Sequence, residues 1–217
     1  MDTPSAAPAR REGMRLRLPP AVRNRQILDA ALAVFAEHGY AAARMDDIAL
    51  RSGLSKGGLY AHFASKDQVF EALLSRLLAP PSLARPAGPL SLEQWVDWLL
   101  DEIYARFSEP GLRAGLRLLV AEGERVPTLV TQWHRQVVQP YEEAVAAQLA
   151  VQQPADGGAE PPLLAREPWL ALSPAVHGLI MQTVLPPALA PGRERLRRGH
   201  RELLLRLLQP RPPASAA

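Results

Sequence analysis

From Arg44 to Lys66 the chain reads R-M-D-D-I-A-L-R-S-G-L-S-K-G-G-L-Y-A-H-F-A-S-K, two short apolar stripes hinged at one glycine. Met45, Ile48 and Ala49 give a short helix one apolar face. Gly53 supplies a left-handed turn position that a Cβ disfavours. The Ser55 hydroxyl is placed to cap a second helix. On that helix Leu59, Tyr60 and Phe63 keep helical spacing and turn inward. Ser55, Lys56, Gly57, Gly58, Ala61 and His62 are left for the outer face. The pattern predicts a helix-turn-helix whose small, polar, cationic face suits a DNA major groove.

The flanking segments predict two more helices. Over Val22 to His38, residues Ile27, Ala30, Ala31, Val34 and Phe35 share one stripe, and Gly39 follows as a C′ residue. Ser65 and Gln68 have capping-box spacing, opening a helix that turns Val69, Phe70, Leu73, Leu74 and Leu77 inward.

The strings I-L-D-A-A-L-A-V-F-A-E-H-G-Y, D-D-I-A and G-L-S-K-G-G-L-Y-A-H-F-A-S-K occur in that order, and with their spacing the segment from Arg23 to Leu74 resembles the N-terminal domain of TetR-family transcriptional regulators. The resemblance implies that Lys56, Tyr60, His62 and Lys66 lie at DNA-touching positions, mostly against phosphates. Ser55 and Gly57 belong to the same face. Two positions depart from the family pattern. Arg44 stands where Thr or Ser is usual, and so would meet a phosphate as a charge rather than act as a cap. Gly58 stands where a polar side chain is usual, and costs the helix about 1 kcal/mol relative to Ala.

Charge follows the same division. The chain of 217 residues carries a net charge of +3, and residues 1–80 hold all of that excess, with eleven Lys or Arg against eight Asp or Glu. Only Lys56 and Lys66 are lysines among 25 cationic residues, either by chance placement or because a compact, rotatable ammonium serves there and a planar guanidinium does not. Residues 1–20, rich in Pro, Ala and Arg, read as a disordered basic arm, either a solvated tail or a minor-groove contact through Arg10, Arg11, Arg15 and Arg17.

The remaining sequence predicts helices separated by proline-rich breaks, nine in the whole chain, with no strand signal. The expected fold class is all-α: a helix-turn-helix domain over 21–80, a C-terminal helical bundle over 81–210 and a short disordered tail over 211–217. Ser91 and Gln94 form another capping box. Pro110-Gly111 reads as a turn, and Pro140 should kink the helix that Pro127 opens or interrupt its hydrogen bonding. Gln153 to Pro168 reads as a loop.

In the resembled family the C-terminal domain holds an effector pocket and its last two helices pair across a twofold axis. Here the effector candidates are Trp95, Trp98, Phe107, Leu119, Trp133, His177 and Met181. The dimer candidates are Val176, Leu179, Ile180, Thr183, Leu203 and Leu207. Arg197, Arg198, Arg201 and Arg206 read as a solvated face.

Other classes find little support. The absence of cysteine excludes disulfides and thiolate chemistry. There is no phosphate-loop motif, no His-Glu-x-x-His pattern and no membrane-length apolar run. The expectation is a cytoplasmic homodimer with no cofactor, binding double-stranded operator DNA and a small-molecule effector, and no membrane. The alternative is a helical adaptor of the same fold that has lost specific DNA binding.

Overall fold

The computed structural model describes residues 19–84, 88–152 and 161–209, so the expected basic arm and tail lie outside the described residues. All regular structure among these is helical. The elements are α1 (Pro20–Ala42), α2 (Met45–Arg51), α3 (Lys56–Tyr60), α4 (Lys66–Leu77), α5 (Leu92–Arg106), α6 (Pro110–Glu122), α7 (Pro127–Trp133), α8 (Gln139–Gln152), α9 (Leu163–Arg166), α10 (Ser173–Val184) and α11 (Arg193–Leu207).

Helix starts follow local chemistry. Proline occupies the first turn of α1, α6 and α7, where its missing N–H costs nothing. Pro110-Gly111 therefore opens α6 rather than forming a free turn. Ser91 and Gln94 close a capping box on α5: the Ser91 hydroxyl accepts from the Gln94 N–H at 3.2 Å, and the Gln94 amide oxygen accepts from the Ser91 N–H at 2.9 Å. Ser65 caps α4 in the same way at 3.2 Å, but Gln68 reaches one residue further back, to the Ala64 N–H. In α1 the helix breaks at Gly39, whose φ of 73° is open to glycine, before a last short turn.

Pro140 does not end the helical run, but the regular hydrogen bonding is interrupted just before it, as expected. Between α7 and α8 the residues His134–Val138 form a π turn, and the Gln139 N–H bonds five residues back to the His134 carbonyl. The wider turn spaces the backbone around a residue that has no N–H to give. The segment expected as a loop holds α9 and a 3₁₀ turn, Pro168–Ala171, in its described part.

Two cores form. Ile27, Val34, Phe35, Ile48, Leu59, Phe70 and Leu73 build the first, from α1 to α4. Leu118, Val126 and Trp133 belong to it as well, so α6 and α7 complete the N-terminal domain from beyond residue 80. Trp95, Leu99, Ile103, Tyr141, Val145, Leu164 and Leu204 build the second. Here the expected solvated arginine face is corrected in part: Arg198 and Arg206 are exposed, but Arg197 and Arg201 are not. Arg201 makes a paired contact with Asp97 at 2.7 and 3.1 Å, and Arg197 meets Asp101 at 2.6 Å. The α5 acids recur every four residues, so a line of carboxylates faces a line of guanidiniums on α11. Arg201 in turn holds the Asp97 carboxyl below its ordinary pKa.

Candidate nucleic-acid interface

The turn of the helix-turn-helix is closed by backbone bonds. At the end of α2 the Leu54 N–H bonds to the Ala49 carbonyl at 2.9 Å and the Gly53 N–H to Leu50 at 3.1 Å. With Gly53 at φ 69°, this is a Schellman motif. Ser55 then caps α3 by accepting the Gly58 N–H at 3.1 Å. A Cβ at position 58 would stand 3.2 Å from that same Ser55 oxygen, so Gly58 leaves the cap undisturbed. Asp47 accepts the Arg44 N–H at 3.2 Å, and this carboxylate satisfies the start of α2 where Arg44 cannot.

Behind α3, Leu59 is fully buried and Phe63 nearly so. In front, Arg44, Ser55, Lys56, Gly57 and His62 are all exposed, and so is Tyr60, which corrects the inward face expected for it from spacing. Lys56 pairs with Asp46 across the two helices. The His62 ring lies 2.9 Å from the Asn24 amide oxygen, which ties the end of the motif to α1. Gly57 has open space around it, so backbone of another molecule has room to approach there.

Lys66 is placed differently from the others. Its ammonium donates to the carbonyls of Tyr40 at 2.6 Å, Ala43 at 3.0 Å and Ala41 at 3.2 Å. It also lies 4.4 Å over the Tyr40 ring. Those carbonyls are orphans of the α1 end. One tetrahedral ammonium has three donors for three convergent acceptors, a geometry that a planar guanidinium does not reproduce. The Tyr40 hydroxyl bonds to Asp67 in the first turn of α4, and burial with that carboxylate pushes its pKa up.

Sequence reasoning missed the joint between the domains. The Arg106 guanidinium, at the end of α5, donates to the carbonyls of Ala79 at 2.9 Å, Arg76 at 2.9 Å and Leu77 at 2.8 Å, and pairs with Glu109. It caps the C-terminus of α4. Beside it, Gly111 and Gly115 let α6 lie on Leu77, where a Cβ on either glycine would fall 2.7 Å from the leucine side chain. At the other end of α6, buried Glu122 sits against Gly39 and pairs with Arg125 at 3.3 Å. A lone Arg beyond a break carries no periodic signal, so Arg106 was not legible.

The expected effector residues do not converge. Trp95 and Trp98 pack together in the second core, ring centroids 6.4 Å apart, with the Trp95 N–H on Gln148 at 3.1 Å. Leu119 and Trp133 pack in the first core. His177 is exposed on α10, and Met181 is half-buried. Phe107 alone of the seven borders a cavity under α10 and α11. Trp95, Trp98 and Phe107 go with the second core and Leu119 and Trp133 with the first, and helical spacing within each segment does not fix which core a face meets.

On α10, Val176, Ile180 and Val184 are exposed in an i, i+4, i+8 line, and Leu203 is exposed on α11. Leu179 is buried, Thr183 and Leu207 are half-buried, and the Thr183 hydroxyl donates to the Leu179 carbonyl at 2.7 Å. Among the described residues no helix is long and apolar enough to cross a membrane.

Residues 27–73 match the profile of a family described as "Bacterial regulatory proteins, tetR family". The chain is 35% identical over 128 residues to the HTH-type transcriptional repressor SCO4008 of Streptomyces coelicolor, covering 59% of this chain and 64% of that one. It is 52% identical over 60 residues to the HTH-type transcriptional activator FasR of Mycolicibacterium smegmatis, covering 28% of this chain and 27% of that one. The chain thus spans less than two-thirds of the length of either relative. The solved structure of Salmonella enterica GusR is similar with a TM-score of 0.66 at 25% identity, over 88% of this chain and 98% of that one.

Proposed function

Residues 27–73 are a TetR-family domain, and on that premise we propose that the chain is a dimeric, DNA-binding transcriptional regulator, a repressor whose grip on its operator is released by a small apolar or amphipathic effector. The observation that carries the reading is the outer face of α3. Lys56, Gly57 and Tyr60 stand exposed on a helix held from behind by buried Leu59 and Phe63. Such a face supplies a phosphate-binding charge, a glycine with room for close approach and an aromatic hydroxyl, with Arg44 nearby in sequence as a further cation. Lys66 supports the face from within by closing α1 onto α4. The protein acts in the cytoplasm, where that DNA lies.

The exposed line of Val176, Ile180 and Val184, with Leu203, is the dimer contact in this reading. Paired copies would offer two α3 helices to half-sites about 34–36 Å apart, or a multiple of that spacing. Repression is favoured over activation by the longer match, to a repressor. A mobility-shift titration with the DNA upstream of the protein's own gene tests the reading. The expected result is a discrete, saltable complex of one dimer. A chain that binds this DNA no better than unrelated DNA is the helical adaptor instead.

A further inference from the structure

A cavity of about 210 Å³ lies where the end of α5 meets α10 and α11, bordered by Tyr104, Phe107, Ser108, Leu179, Gln182 and Arg193. Its wall is mostly apolar, and an unmet polar demand lies sealed just behind it. Tyr104 is 3% exposed and its hydroxyl has no hydrogen-bond partner. The His200 ring packs edge-on against it at 5.9 Å. At the mouth, Arg193 donates to the Ser108 hydroxyl at 2.6 Å and makes no ion pair among the described residues. A buried phenol without an acceptor costs free energy unless something fills the role.

A larger groove, of about 510 Å³ between α1 and α6, offers no such demand. Its carboxylates are already matched, Asp29 by Arg76 and Glu122 by Arg125.

We propose that the cavity at Tyr104 and Arg193 is the effector site, and that it takes a small monocarboxylate with an apolar body. This rests on the regulator reading and names its ligand class. The carboxylate accepts from the Arg193 guanidinium, and its entry opens the sealed Tyr104 hydroxyl as a second donor, since a charge-assisted acceptor suits both. The body lies against Phe107 and Leu179. The small volume excludes drug-sized molecules.

The site is wired to the DNA-binding domain by its own residues. Tyr104, Phe107 and Ser108 flank Arg106, which holds the last carbonyls of α4. The Ser108 hydroxyl donates to the Tyr104 carbonyl at 3.0 Å and accepts from Arg193, so a ligand that draws Arg193 away disturbs the end of α5. On the other side, Gly178 lies so close to Leu196 that a Cβ would fall 2.5 Å from it, and α10 transmits any shift to α11.

The test is calorimetric titration of the full chain with benzoate, phenylacetate and hexanoate, beside benzamide and benzylamine as neutral and cationic counterparts. The carboxylates should bind at least about tenfold more tightly than the other two. Arg193→Gln and Tyr104→Phe should each weaken benzoate by about tenfold, while Tyr104→Phe keeps its melting temperature because the lost hydroxyl had no partner. No carboxylate binding at millimolar concentration, a preference for benzylamine, or affinities unchanged in both variants would overturn the proposal. Mobility shifts on the same preparations keep the two readings apart. Failure to bind DNA, with carboxylate binding intact, sinks the regulator reading and leaves the site standing.

Discussion

Lys56 Nζ stands 3.1 Å from Oδ1 and 3.2 Å from Oδ2 of Asp46, so the cation that opens the recognition helix already has an anion beside it. A DNA phosphate must compete with that carboxylate. Lys56→Ala is expected to weaken specific and nonspecific binding alike and to flatten the log–log salt slope by about 1. Asp46→Asn should act in the opposite sense, tightening binding by about two- to fivefold, the worth of an exposed pair. Mobility shifts over a salt series measure both.

Lys66 should behave as a stability residue. Lys66→Met strands three carbonyls at the end of α1 and should lower unfolding free energy by about 2–3 kcal/mol. Lys66→Arg should recover less than half of this, because a guanidinium fork does not match the three directions. Denaturant titration decides. A Lys66→Arg variant as stable as the parent would refute the ammonium argument.

The joint at Arg106 and Gly115 should couple stability to DNA affinity. Arg106→Met removes three bonds to the end of α4 and is expected to cost about 2–3 kcal/mol. Gly115→Ala forces Leu77 and Leu78 to move and should cost about 1–3 kcal/mol. Both should shift operator affinity although neither residue is near α3. Operator affinity equal to the parent's at a temperature where both variants are folded would uncouple the joint from recognition.

Ile180→Glu places a carboxylate in the exposed line of α10. Sedimentation should show monomers, and operator binding should fall steeply because half-sites are then engaged singly. Stability of the monomer should change little, since Ile180 is exposed. An unmodified chain that sediments as a monomer at micromolar concentration defeats the dimer reading.

His200 sets an acid limit. It is 1% exposed, and burial pushes its pKa down to about 4, with the backbone at Ala171 opposing weakly. An unfolded histidine takes its proton near pH 6.5. Between these values the unfolded chain binds the extra proton, so stability falls as pH drops from 6.5 toward 4. The loss should reach about 2–4 kcal/mol and level off below pH 4. Groups with lowered carboxyl pKa values, such as Asp97 and Glu37, lose their contribution as pH falls through the ordinary carboxylate range, so they overlap only the acid edge of that window. His200→Leu should flatten the slope in thermal melts taken across it.

The helix-turn-helix was legible because its signals are local. The Gly53 turn, the Ser55 cap and the spacing of Leu59 and Phe63 all lie within a dozen residues, and each element obeyed them. Helix faces were legible where one stripe meets one core. Partners distant in sequence were not. Lys66 is a cation at a suggestive position until Tyr40 and Ala43 are folded beside it. The aromatic residues of the C-terminal half share a residue type, but Trp95 and Trp133 serve different cores. The cavity at Tyr104 depends on α5, α10 and α11 meeting, which no periodicity states.

Leu118, Val126 and Trp133 share one core with Ile27 and Phe70, and this bears on how such proteins diversify. A reading head that borrows part of its interior from later helices is not an interchangeable cartridge. A chimaera cut at residue 80 would bring a foreign surface against α6 and α7 and leave apolar faces mismatched on both sides. On the proposed regulator reading, the heritable unit of DNA specificity includes the stretch from Pro110 to Trp133, although that stretch is far from α3 in sequence. Exchange of specificity between lineages is therefore expected to proceed by substitutions on α3, with the rest of the head kept in step with its own α6 and α7.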